Sequence, residues 1–78
     1  MQSHELKSLL QAAFPAARID VDSPDDVHFQ ATIESESFAG KPTLARHRMV
    51  YAVLGERMGG EVHALSLRTL TPEEAEGH

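Results

Sequence analysis

Five histidines and no cysteine occur in 78 residues, and that combination restricts the available chemistry sharply. Without thiols the chain has no disulfide framework, no thiol nucleophile and no thiolate metal site of its own. Metal chemistry would have to use nitrogen or oxygen ligands, or take sulfur from a partner. His4 and His78 stand near the two ends, where side chains are expected to be mobile. That leaves His28, His47 and His63.

His63 sits in "GGEVHALSLRT", residues 59 to 69, at the second apolar-strand position after two glycines. Strand parity gives it the core-facing side of Leu65 and Leu67, but at the rim of the core beside the Gly-Gly turn. An imidazole fixed there by backbone is a good nitrogen ligand. It would serve equally as a hydrogen-bonded edge residue, and the residues alone leave both roles open. His47 is expected within an apolar helical arc as a neutral, hydrogen-bonded, partly buried side chain. His28 falls on the polar side of a strand.

Other chemistry is thin. Neither G-x-S-x-G nor H-E-x-x-H occurs, and "GKPT" (40–43) lacks the glycine spacing of a phosphate loop and the second glycine of a KH-type RNA clamp. The paired carboxylates Asp25 and Asp26, and Glu73 and Glu74, stand in turn and capping contexts that predict solvated side chains. No concave framework is expected in so short a chain. The reading is a non-enzyme with no catalytic residues.

The elements that must position these residues follow from periodicity. Leu6, Leu9, Leu10, Ala13 and Phe14 make one face of a helix from Ser3, the expected N-cap, to Phe14, with Pro15 ending it. "RIDVD" (18–22) alternates, "SPDD" (23–26) is turn chemistry, and "VHFQATIES" (27–35) alternates again with Phe29, Ala31 and Ile33 on one side. The two runs predict a hairpin. "FAGKP" (38–42) breaks the pattern before a main helix over 43–58, capped by Thr43. Its apolar arc is expected to hold Leu44, Val50, Tyr51, Leu54 and Met58, with His47 in the middle. Gly59 and Gly60 end it, a third strand spans 61–69, and "TPEE" (71–74) opens a terminal helical turn through a capping box. The order αββαβ predicts an α+β domain over residues 1–78, with a small mixed sheet carrying helices on one face.

The formal net charge is −5, and 41% hydrophobic with 24% charged residues is ordinary globular composition. Bulk positive charge for phosphate neutralisation is absent. Lys41, Arg46, Arg48 and Arg57 form the only basic stretch, and Arg46 and Arg48 diverge around the helix rather than lining one stripe. No long apolar run or basic leader is present, so a cytoplasmic, non-membrane protein is the expectation.

The segment "HFQATIESESFAGKPTLARHRMVYAVLGERMGGEVHALSLRTLTPEE", residues 28–74, closely resembles the BolA-like family. A strand ends in E-S-x-x-F-x-G-K, an R-H-R-x-V-Y helix follows, then V-H-A-L and T-P-E-E, each word in the family's order. The short "SPDD" turn is similar to that of its IbaG (YrbA) branch. The resemblance implies a class II KH-like αββαβ fold. It also implies partnership with a monothiol glutaredoxin and its glutathione, the two proteins sharing a [2Fe–2S] cluster in iron–sulfur trafficking or in iron or redox sensing.

Within that resemblance the expected ligand is the histidine of V-H-A-L, His63. An imidazole can replace thiolate on one iron of such a centre, so a chain without cysteine takes part only in company and holds no cluster alone. The family's second ligand, in the turn before strand two, falls on Asp25. His28 is the other choice, and having no second ligand the third. A carboxylate is a harder ligand than thiolate or imidazole, which would make the cluster more labile. The resemblance further implies a transcriptional-regulator alternative, in which the F-x-G-K turn and R-H-R helix meet duplex DNA through Lys41, Arg46 and Arg48. Alone, the chain is expected to be a monomer or weak homodimer.

Overall fold

The computed structural model describes residues 1–57 and 64–77. Helix α1 (Ser3–Ala13) is followed by β1 (Arg18–Asp22), β2 (His28–Glu34), a 3-10 turn (Glu36–Phe38), α2 (Thr43–Leu54), a second 3-10 turn (Gly55–Arg57), β3 (Ala64–Leu70) and α3 (Pro72–Glu76). The expected α+β architecture is present. Of the third strand expected over 61–69, residues 61–63 lie outside the described residues, and so does Met58.

The sheet is mixed, in the order β1-β2-β3. β1 and β2 pair antiparallel, from Arg18 opposite Glu34 to Asp22 opposite Gln30, as a short turn between alternating strands requires. β2 and β3 pair parallel, from His28 opposite Ala64 to Glu34 opposite Leu70, and α2 supplies the crossover that a parallel pair needs. Phe29, Ala31 and Ile33 of β2 are buried while Gln30 is exposed. The helices therefore cover one face and leave the other to water.

Beneath that face Leu6 and Leu10 of α1 meet Ile19, Phe29, Ile33, Phe38, Val50 and Leu54 in one apolar cluster. Phe14, at the end of α1, stacks at a tilt on Phe38 with ring centroids 5.6 Å apart, an arrangement aromatic quadrupoles favour. Proline disfavours a helical residue before it, so Pro15 turns Phe14 out of the helix at φ −127° and ψ 71°. The Gln11 amide then donates to the Phe14 and Ala17 carbonyls, at 3.1 and 3.0 Å, and bridges into β1.

Three expectations need correction. The N-caps are Gln2 and Pro42, each one residue before the expected Ser3 and Thr43. At α1 the Glu5 carboxylate takes up the Gln2 N–H at 3.0 Å, which satisfies an orphan donor and places negative charge at the positive helix end. Helix α2 stops at Leu54 rather than running to 58, because Gly55 turns to φ 53°. Its buried face is also rotated. Arg46, Val50 and Leu54 face inward, whereas Leu44 is 63% and Tyr51 39% exposed. His47 is half-buried and meets Tyr51 edge-on at 6.4 Å. The apolar arc expected from the sequence did not include Arg46, which is buried beside Val50 and Leu54.

Candidate functional site

The β1–β2 turn is organised by one carboxylate. Asp26 adopts φ 59°, a left-handed conformation aspartate tolerates, and this curls the backbone around Asp25. Asp25 Oδ1 accepts the Val27 and His28 N–H groups at 3.0 and 2.8 Å, and Oδ2 lies 2.7 Å from His28 Nδ1. Ser23 Oγ accepts the Asp26 N–H at 2.9 Å and donates to the His28 carbonyl, closing the turn from the other side. The His28 backbone and ring, then the Val27 N–H, hold the Asp25 carboxyl down at about 2.

Of the residues expected to act, the structure thus brings Asp25 and His28 together. The solvated Asp25 expected from its turn context is instead engaged through both oxygens, by residues that follow it directly. His28 remains open, its side chain 62% exposed, at the first position of β2 and opposite Ala64. Ala64 is the residue that follows His63 in the chain; His63 itself lies outside the described residues. The sequence did carry a signal for the turn: an aspartate two positions before Val27 has the spacing of an Asx-turn, and the bond it makes there brings the next residue, His28, alongside the carboxylate.

The basic residues separate. Lys41 and Arg48 are exposed, but Arg46 is only 8% exposed. Its Nε donates to the Lys41 carbonyl at 2.7 Å and NH1 to the Thr69 carbonyl at 3.2 Å, while NH1 and NH2 grip Glu74 Oε1 and Oε2 at 2.6 and 3.0 Å. The guanidinium also lies 5.9 Å from the Phe38 ring centre. An arginine in an outward docking or nucleic-acid face would keep these donors free, so the expectation for Arg46 is corrected. It clamps the turn before α2, the end of β3 and α3 together.

Glu74 is corrected with it. Its Oε1 also accepts the Thr71 N–H at 2.9 Å, and Thr71 Oγ1 accepts the Glu74 N–H at 3.1 Å, so the expected capping box forms and serves the clamp too. Arg46, followed by the Thr71 N–H, holds the Glu74 carboxyl down at about 2, and Glu74 raises Arg46 in turn.

A concavity is present where none was expected. An open groove of about 420 Å³ runs beside α1, lined by His4, Glu5, Ser8, Leu9 and Arg57 among others. No hydrogen bond joins His4 to Ser8 among the described residues, and Glu5 is spent on the helix cap. The groove therefore shows no nucleophile activated by a base.

Among the described residues no three histidine, cysteine or acidic side chains gather as a metal site. The chain has no cysteine, so its donors fit a [2Fe–2S] cluster as a partial nitrogen contribution and not as a complete ligand set. No described helix is long and apolar enough to cross a membrane.

The fold is that of a small α+β domain with a three-stranded mixed sheet, and comparison with known proteins narrows its class. The family model described as BolA-like protein matches residues 5–74. The chain belongs to the BolA-like family. It is 38% identical over 68 residues to the DNA-binding transcriptional regulator BolA of Escherichia coli, an alignment covering 87% of this chain and 65% of that protein. With human BolA-like protein 1 it shares 43% over 49 residues, which is 63% of this chain but 36% of the human one. The structure of a bolA protein homologue from Coxiella burnetii superimposes with a TM-score of 0.85 at 36% identity, over 97% of both chains.

Proposed function

We propose that the chain is a non-enzymatic adaptor that docks on a monothiol glutaredoxin bearing glutathione and contributes His63 to a shared [2Fe–2S] cluster. The observation that carries this reading is a mismatch in the donor set. Histidine is plentiful and cysteine wholly lacking, while the one described ligand-type histidine ordered by a carboxylate, His28, lies opposite the residue that follows His63. A cluster brought by thiolates of another protein gains imidazole ligation here, which raises its potential. The role would be cluster trafficking or sensing. The test is to mix the chain with cluster-loaded glutaredoxin and follow visible absorption and circular dichroism; an unchanged spectrum rejects it.

A second reading, duplex-DNA binding by a transcriptional regulator, is favoured by the name of the Escherichia coli relative and by the exposed Lys41 and Arg48. Withdrawal of Arg46 into the clamp weakens it, because it removes a cation from the surface of a chain with net charge −5. Binding measured over a salt series decides the matter. A phosphate-contacting protein loses affinity steeply with salt, and the absence of binding near physiological salt would dismiss this reading.

A further inference from the structure

We propose that the outer edge of β3 is the surface on which this chain pairs with a second copy of itself: the two β3 strands run antiparallel about a two-fold axis at Ser66 and join the two sheets into one. The proposal stands apart from the shared-cluster reading and rests on the sheet alone.

Among the described residues β3 pairs with β2 and with no other strand, so its second edge ends the sheet. The register fixes which groups line that edge. The Ala64 N–H donates to the Val27 carbonyl, and the Leu70 carbonyl accepts the Ser35 N–H. Alternate residues of a parallel ladder bond to the neighbouring strand, so Ala64, Ser66, Arg68 and Leu70 turn their backbone groups toward β2, and Leu65, Leu67 and Thr69 turn theirs outward. Arg46 NH1 takes the Thr69 carbonyl at 3.2 Å and closes the edge at that end. Among the described residues nothing reaches the outward N–H and C=O groups of Leu65 and Leu67. Such an open row is a template for another strand, and what it selects is extended backbone.

The side chains favour a second copy as that strand. Around Ser66 the sequence reads L-S-L. A two-fold axis there sets Leu65 opposite Leu67 of the second copy, each pair exchanging both backbone hydrogen bonds. Ser66 meets its own counterpart, a cross-strand pair whose hydroxyls can hydrogen-bond, and Arg68 falls opposite Ala64, so no like charges oppose. Leu65 and Leu67 point to the helix-covered side yet are only half-buried; pairing lays leucine against leucine and removes more of both from water. The other edge is guarded. β1 exposes Asp20 and Asp22, and a two-fold axis at its middle residue would set carboxylate against carboxylate. Pairing β3 with β1 of another copy is a head-to-tail contact that need not close, whereas the two-fold pairing closes as a dimer.

The lack of cysteine makes the test clean, because a single introduced thiol can bridge only two copies. In the proposed register the Ser66 pair is non-hydrogen-bonded, with Cα atoms about 4.5 Å apart, a span that a disulfide accepts. Sedimentation of wild type at rising concentration should show the mean mass climbing from one chain toward two. Amide exchange at Leu65 and Leu67 should slow in step, while Ser66, bonded to β2, is protected throughout. Under mild oxidation Ser66→Cys should cross-link much faster than Gln30→Cys, which lies on the middle strand of the same exposed face. Ser66→Glu should lose the dimer and regain it when mixed with Ser66→Lys. A monomer at every concentration, with Ser66→Cys no faster than Gln30→Cys, overturns the proposal. A mass that grows beyond the dimer also overturns it and marks pairing through β1. Protection of Leu65 and Leu67 only on addition of a monothiol glutaredoxin gives the edge to that partner and overturns it too. Stronger association of Ser66→Glu would place the glutamate opposite Arg68 and contradict the axis at Ser66.

Discussion

Arg46 and Glu74, 28 positions apart, meet through two hydrogen bonds of 2.6 and 3.0 Å, and this pair joins the start of α2 to the last helix. Glu74 is also the closing residue of the α3 capping box. One carboxylate therefore both starts α3 and anchors it. The R-H-R and T-P-E-E words of the sequence are, at these two residues, the halves of a structural clamp.

Arg46→Lys should not rescue the clamp, because a lysine ammonium cannot reproduce the planar two-point grip on Glu74 or reach the Lys41 and Thr69 carbonyls together. Thermal unfolding should show Arg46→Lys and Arg46→Ala both several degrees below wild type. Lys41→Ala, at an exposed position, should stay close to it. Equal and negligible effects of all three would return Arg46 to the surface.

Acid should weaken the fold in a defined window. Asp25 and Glu74 ordinarily titrate near 3.8 and 4.5 and are held at about 2 in the folded chain. Between those limits the unfolded chain binds protons that the native one refuses, so the stabilisation is full above about pH 5 and is lost as pH falls toward 2. Thermal midpoints taken across this range should drop, with a shallower slope for Glu74→Gln. Both carboxylates are partly exposed, so solvent screens the pairs and salt should flatten the slope further.

Gly40 offers a cleaner backbone test. It sits at φ 73° with open space where a Cβ would project, so Gly40→Ala meets conformational strain without a clash. The expected loss is about 1–2 kcal/mol, read by urea denaturation as a lower midpoint at unchanged m-value. Gly40→Asn should lose less, because asparagine tolerates the left-handed region.

The hairpin was legible because alternation and turn residues are local signals: Ile19, Phe29, Ala31 and Ile33 are buried as their parity demands. Helix α2 was legible as a helix but not in its orientation. Periodicity sets charged residues in water, and nothing near Arg46 in the chain announces that Glu74 and the Thr69 carbonyl will make its burial tolerable. Ser3 and Thr43 were expected as caps on residue preference, yet the chain enters each helix one residue earlier. At the candidate site, the sequence offered Asp25 and His28 as rivals. The turn makes them partners, a relation that depends on the φ of Asp26 and not on residue type alone.

The central claim is that a thiol-free chain shares a thiolate-borne cluster through His63. It is tested most directly by titrating wild type and His63→Ala side by side into [2Fe–2S]-loaded monothiol glutaredoxin with glutathione, following visible circular dichroism. Wild type should convert the spectrum to that of a new, saturable complex, and His63→Ala should fail to produce it. A wild-type titration that leaves the glutaredoxin spectrum unaltered, or an alanine variant that reproduces the wild-type change, would contradict the account.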